Sequence, residues 1–130
     1  MRTTLRLEPG DDLRCRLEAL SVERGWPAAF VIAGIGSLRV TALRLAGATA
    51  PLWLREPVEI LTLSGSLSVN GAHLHMSIAD ARGRVLGGHV AAGCEVHTTA
   101  ELLIEMLEGH HFERIRDDRT GCPELHVTRR

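Results

Sequence analysis

His73-Leu74-His75-Met76-Ser77-Ile78, followed by Gly87-Gly88-His89, places three imidazoles within one plausible hairpin. On a strand, residues two apart share a face. His73, His75 and Ser77 then point one way, and Leu74, Met76 and Ile78 the other. One face is core; the other carries imidazoles. Ala81-Arg82-Gly83 is a turn candidate, with Gly83 suited to a left-handed position. If Asp80 pairs with Arg84, Ser77 faces Gly87 and His75 faces His89. Opposed residues of antiparallel strands share a face, about 5 Å apart at Cβ. Three imidazoles so placed can converge on one divalent ion, and zinc suits a nitrogen donor set. His73, His75 and His89 are therefore the candidate metal ligands. A slip of one residue would turn His89 to the wrong face.

The 130 residues suit a single domain, 1–130, and 45% are apolar, enough for one sizeable core. A formal net charge of −1 gives no overall pull toward polyanions. The basic side chains are all Arg apart from histidine, and they are dispersed along the sequence. Cys15, Cys94 and Cys122 are odd in number and far apart, which points to a reducing compartment rather than a disulfide framework. Cys94 near His97 reads as a buried thiol. No signal peptide is visible and no apolar run is long enough to span a bilayer, so a cytoplasmic protein is expected.

Around the histidine hairpin the chain alternates strands and turns. Thr3 to Glu8 reads as a strand broken by Pro9-Gly10. Asp11 or Asp12 caps a helix with Leu13, Leu17 and Leu20 on one face, ended by Gly25. Its Arg14, Arg16, Glu18 and Glu23 read as a solvated face. Ala28 to Ala33 is a short buried strand, Gly34-Ile35-Gly36-Ser37 a turn or close-approach segment, and Leu38 to Leu45 a second strand. Trp53 reads as core or interface packing. Val58 to Leu63 is a strand, Ser64-Gly65-Ser66 a bulge or bend, and Asn70-Gly71 a hairpin turn. Val90 to Val96 continues the sheet with a kink at Gly93. Thr98 with Glu101 resembles a capping box, and propensity over Thr98 to Leu107 favours helix. His110-His111 reads as a loop; Phe112 to Arg116 and Glu124 to Val127 read as short strands. The sum is an α+β domain: a mostly antiparallel twisted sheet with one main N-terminal helix packed on it.

The order of these pieces resembles the plant and prokaryote conserved (PPC) domain. The matching runs are Pro9-Gly10-Asp11-Asp12-Leu13, Gly36-Ser37-Leu38, Glu59 to Ser66, His73 to Asp80, Gly83 to Val90, Gly93 and Thr99-Ala100-Glu101. The resemblance implies a homotrimer, and a strand over Thr98 to Leu107 in place of the helix. The fold group also looks similar to alpha-acetolactate decarboxylase, whose zinc site likewise uses His-x-His and a later His. That likeness carries over to His73, His75 and His89 only. In plants the domain accompanies a DNA-binding AT-hook. The nearest string here, Arg82-Gly83-Arg84-Val85, lacks the hook's proline and reads as turn chemistry.

Two classes of function follow. One is a homotrimeric metal-binding module with a DNA-binding or transcription-associated regulatory role. The other is a metal-dependent enzyme acting on a small oxygenated substrate, a decarboxylase, lyase or hydrolase. Three His ligands leave a coordination position open, the catalytic pattern for zinc. Such a site needs a proton carrier. Glu101 is the first candidate, expected on a strand beside the hairpin, with Glu95 second. Ser37, Ser66 and Ser77 are candidates to position substrate oxygens. A third use of the histidines is to bind metal without turnover, as a sensor or trimer staple.

Overall fold

The computed structural model describes residues 1–130. The chain runs β1 (Arg2–Leu7), α1 (Leu13–Glu23), β2 (Ala29–Arg44), β3 (Leu52–Leu54) and β4 (Val58–Ser68). It continues through β5 (Gly71–Ala79), β6 (Val85–Val90), β7 (Glu95–Met106), β8 (His110–Asp117) and β9 (Cys122–Arg129). One helix and a dominant antiparallel sheet make this the expected α+β class.

The 16-residue strand β2 organises the sheet. Leu38 pairs with Val58 of β4 and with Val96 of β7, so these lie on its opposite edges. Leu43 likewise pairs with both β3 and β6. Because β5 pairs with β4 and with β6, the path β2-β4-β5-β6 closes back on β2. Strands β7 and β1 extend the sheet from β2. Leu13 and Leu17 of α1 are fully buried in the core with Leu38, Leu63, Leu74, Ile78 and Ile104. Each such side chain contributes about 1.5–3 kcal/mol through burial. Asp12 caps α1, its side chain accepting from the Cys15 amide. No helix is long and apolar enough to cross a membrane.

Several local expectations are corrected by long-range pairing. Ala28–Ala33 and Leu38–Leu45 form one continuous strand, and the intervening glycines mark close approach rather than a turn. A Cβ on Gly36 would collide with the Thr99 carbonyl oxygen of β7. Gly65 similarly admits the His73 carbonyl, and Ser64-Gly65-Ser66 keeps regular register. The bulge in β4 lies instead between Ile60 and Thr62. The corner of the β4–β5 hairpin is Val69-Asn70, one residue earlier than expected, with Ser68 paired to Gly71. Residues 98–106 are strand within β7, as the family resemblance implied; pairing with both β1 and β2 overrides helix propensity. His110 and His111 open β8 rather than forming a loop, because β8 and β9 pair along their whole length. Trp53 is not core: it is 47% exposed and packs over Gly93.

Gly36→Ala should destabilise the protein by at least about 2 kcal/mol, since rigid backbone stands where the methyl would go. Gly25→Ala, whose added Cβ meets nothing within 4 Å, should cost only about 1 kcal/mol from its φ of 62°. Urea unfolding midpoints at unchanged slope would measure both. Equal losses would refute the close-approach reading.

Candidate metal centre

The β5–β6 hairpin forms in the expected register. His75 stands opposite His89, Ser77 opposite Gly87, and Ala79 opposite Val85. Its turn is fixed by Asp80, whose side chain accepts from the Arg82 and Arg84 amides at 2.9 Å each and from Arg84 Nε at 2.7 Å. Gly83 supplies the left-handed corner at φ 76°. Along β5, Leu74, Met76 and Ile78 are buried while His73 and His75 face outward. Gly88 has a packing role: a Cβ there would sit 2.8 Å from the Arg44 carbonyl oxygen of β2. Its absence lets β6 close against β2, with Arg44 paired to His89.

The three rings converge. His75 Nε2 lies 3.2 Å from His73 Nε2 and 3.1 Å from His89 Nδ1. One nitrogen from each ring falls within 4.8 Å of the others. In a tetrahedral site with bonds of about 2.05 Å, donor nitrogens are about 3.3 Å apart. The cluster therefore fits a divalent ion with a tetrahedral, nitrogen-rich preference.

The C-terminal hairpin walls this site. Arg114 Nη2 donates to Ser66 Oγ, and Ser66 pairs with His73 across β4 and β5. Asn70 holds Arg114 by its backbone: the Arg114 amide donates to Oδ1 at 2.7 Å, and Nδ2 donates to the Arg114 carbonyl at 2.9 Å. Phe112 stacks edge-on against Phe30, ring centres 5.7 Å apart. Glu124 and Leu125 line the same recess as His73, His75 and Ser66.

These surroundings bias the rings toward the neutral state. Desolvation, then the Arg114 charge and the other two imidazoles, hold His73 below the ordinary histidine range, with Glu124 acting the other way. Desolvation and then Arg44 lower His89, with His75 and Arg14 adding to the effect. A neutral imidazole is the form that ligates metal.

The other predicted site residues are divided between this site and other parts of the fold. Ser66 is at the site, buried beneath Arg114. Ser77 is one pleat beyond His75 and shares a 2.7 Å hydrogen bond with Thr62. Ser37 is buried on β2, accepting from the Thr98 amide at 3.1 Å, and is not brought to the histidines. Glu101 does not lie beside the hairpin in its own chain: β2 and β4 separate β7 from β5. It lines a different groove, with Thr4, Arg6 and Ile35. Glu95 is paired with Arg39 at 2.9 Å. Cys94 is fully buried and bonded to Ala42, burial pushes its thiol up to about 11, and it stands outside the converging ligand cluster. Arg14 and Glu18 are not simply a solvated face: Arg14 reaches the Val90 carbonyl and Glu18 accepts from the Ala72 amide. Arg44, Arg114 and Glu124 were missed by sequence reasoning. The β2–β6 pairing that would reveal Arg44 has no local signal.

A closed antiparallel sheet capped by one helix and bearing three convergent imidazoles is the class of domain defined here. The sequence profile of the Plants and Prokaryotes Conserved (PCC) domain matches residues 2–108, and the chain belongs to this family. It is 46% identical, over 95% of its length, to "Bifunctional protein GlmU" of Synechococcus sp. strain JA-2-3B'a(2-13), and equally to that of strain JA-3-3Ab. It spans only 20% of those curated relatives. A hypothetical protein from Salmonella cholerae-suis superposes at a TM-score of 0.96 with 38% identity, covering 100% of this chain and 94% of that one. The metal-containing protein AF0104 from Archaeoglobus fulgidus is 31% identical at a TM-score of 0.81, covering 95% and 91%. Two more distant structures share the fold alone. One, from Ralstonia eutropha JMP134, has a name that proposes DNA binding (22% identity, TM-score 0.83, 96% and 90% covered). The other, from Staphylococcus aureus, is of unknown function and similar to alpha-acetolactate decarboxylase (18%, 0.54, 82% and 52%).

The two lowered histidines imply a pH dependence. Unfolded, both rings bind protons more readily than when folded, so acid favours the unfolded chain. Stability of the metal-free protein should be full above pH about 6.5 and should fall as pH drops through that value. His73→Gln with His89→Gln should flatten the fall. Urea titrations of chelator-treated protein between pH 5 and 8 would measure it, and a wild-type slope no steeper than the variant's would contradict it.

Proposed function

We propose that this domain is a homotrimeric metal-binding module in which His73, His75 and His89 hold one divalent ion, zinc being the best suited. The observation that carries the reading is the approach of three ring nitrogens, two of the separations being 3.1–3.2 Å. A metal-containing relative of the same fold supports it. Assembly is favoured by apolar side chains left on the sheet's outer face, Ile32 at 53% and Ile35 at 56% exposure. In this reading the module serves a DNA-associated regulatory role in the cytoplasm.

A metal-dependent enzyme for a small oxygenated substrate is the second reading, favoured by the polar recess at the histidines. A bound zinc would supply Lewis acidity toward a carbonyl or lower the pKa of water. Within one chain, Glu124 is the carboxylate placed to carry a proton, while Ser66 and Arg114 can orient oxygens. Ser37 would serve only indirectly, through β2. Ser77 would reach only a ligand extending along β5. Glu101 would act there only if assembly brought it from a second subunit.

Protein purified without chelator should hold about one ion per chain, and His73→Ala, His75→Ala or His89→Ala should each retain less than about a tenth of it. Elemental analysis on samples of measured mass would test both the site and the trimer. Wild type with no more metal than the variants would end both readings. Duplex DNA binding, titrated with salt, tests the regulatory role separately; no binding at low salt would remove it from this domain.

A further inference from the structure

The cleft beside the histidines is cationic in a chain of net charge −1. It measures about 760 Å³ and is bordered by His73, His89, Arg14, Arg44, Arg114 and Glu124. Three guanidinium groups thus face one carboxylate. Arg14 is paired with Glu18 at 3.3 Å, but Arg44 and Arg114 take part in no ion pair. Arg44 stands directly opposite His89, itself opposite His75, so all three project from one face of the sheet. Arg114 approaches from the other side, over Ser66 and His73. A partly buried cation without a counter-charge is costly unless something supplies one.

We propose that this cleft binds a small organic anion, its carboxylate or phosphate group held by Arg44 and Arg114 next to the ion on the three histidines. The inference rests on the metal reading and gives that site its ligand class. The planar fork of Arg matches both acid groups, and the cleft volume is that of a small-molecule site. Desolvation also pushes the Arg114 guanidinium down, with Glu124 acting the other way and Arg14 adding to the fall. The concave setting favours a small molecule over a duplex, which would need an exposed basic stripe.

Cobalt-loaded protein provides the test, its visible spectrum reporting the ion's surroundings. Lactate and inorganic phosphate, the two acid groups, would each be titrated against neutral lactamide. One acid should bind at least about tenfold tighter than the amide, and which one identifies the group. Arg44→Gln and Arg114→Gln should each weaken it about tenfold with cobalt content unchanged, and Arg114→Lys should weaken it less. Anions binding no better than lactamide, or indifferent to both arginines, would overturn the proposal. So would a duplex oligonucleotide that depends on these arginines when the small anions do not. If the chain takes up no cobalt, phosphate titration of the metal-free protein, read from arginine side-chain NMR signals, decides. Arginine-dependent binding there would sustain the anion cleft while the metal reading fails; no binding would end both.

Discussion

The site depends on the register of one hairpin. Strand side chains alternate with a period of two, so a shift of one residue between β5 and β6 would send His89 into the core and Gly88 to the histidine face. Two features lock the register at opposite ends. At the turn, the Asp80 side chain accepts three donors from Arg82 and Arg84 and leaves little freedom for another closure. At the far end, Gly88 is where the Arg44 carbonyl passes, and no larger residue could take its place without pushing β6 off β2. The Gly-Gly-His run is therefore a packing requirement and a ligand in one motif. The buried Leu74, Met76 and Ile78 enforce the same register from the core side.

Much of this was legible in the sequence because the signals are local. Alternation at residues 73–78, the short turn through Gly83 and the cap at Asp12 each involve neighbours within a few positions. The errors share the opposite cause. Gly34, Gly36 and Gly65 look like punctuation to a local reading, yet the chain runs straight through them. Their small size is needed because another strand's backbone or side chains cross close by. Residues 98–106 carry helix-forming side chains but become strand, since partners on both edges, β1 and β2, are more than fifty residues away in sequence. The C-terminal hairpin could be recognised as strands, but not that Asn70 and Phe30 dock it over the histidines. Hence Arg114 and Glu124 came into view only with the fold.

Electrostatics shows the same division between sequence and space. Dispersed arginines and a net charge near zero imply weak attraction for polyanions, and the structure gives that impression a mechanism. Arg2, Arg14, Arg16, Arg39, Arg84, Arg116 and Arg119 each sit within ion-pair distance of a carboxylate of the same chain. On an exposed surface such pairs add little stability. They do neutralise the charge that duplex binding would draw on, because that affinity comes largely from phosphate neutralisation. The arginines flanking the histidines behave differently. Arg44 and Arg114 are in no ion pair, Glu124 being the one carboxylate that shares their cleft, and both press the neighbouring imidazoles toward the neutral form that metal requires. Seven of the fifteen arginines are thus matched; Arg6, Arg24, Arg55, Arg82, Arg129 and Arg130 stay exposed without an ion pair, while Arg44 and Arg114 are half-buried at the one recess beside the histidines. In the proposed reading, that recess directs recognition at a ligand small enough to enter it, whereas any duplex contact would fall to the exposed arginines outside it.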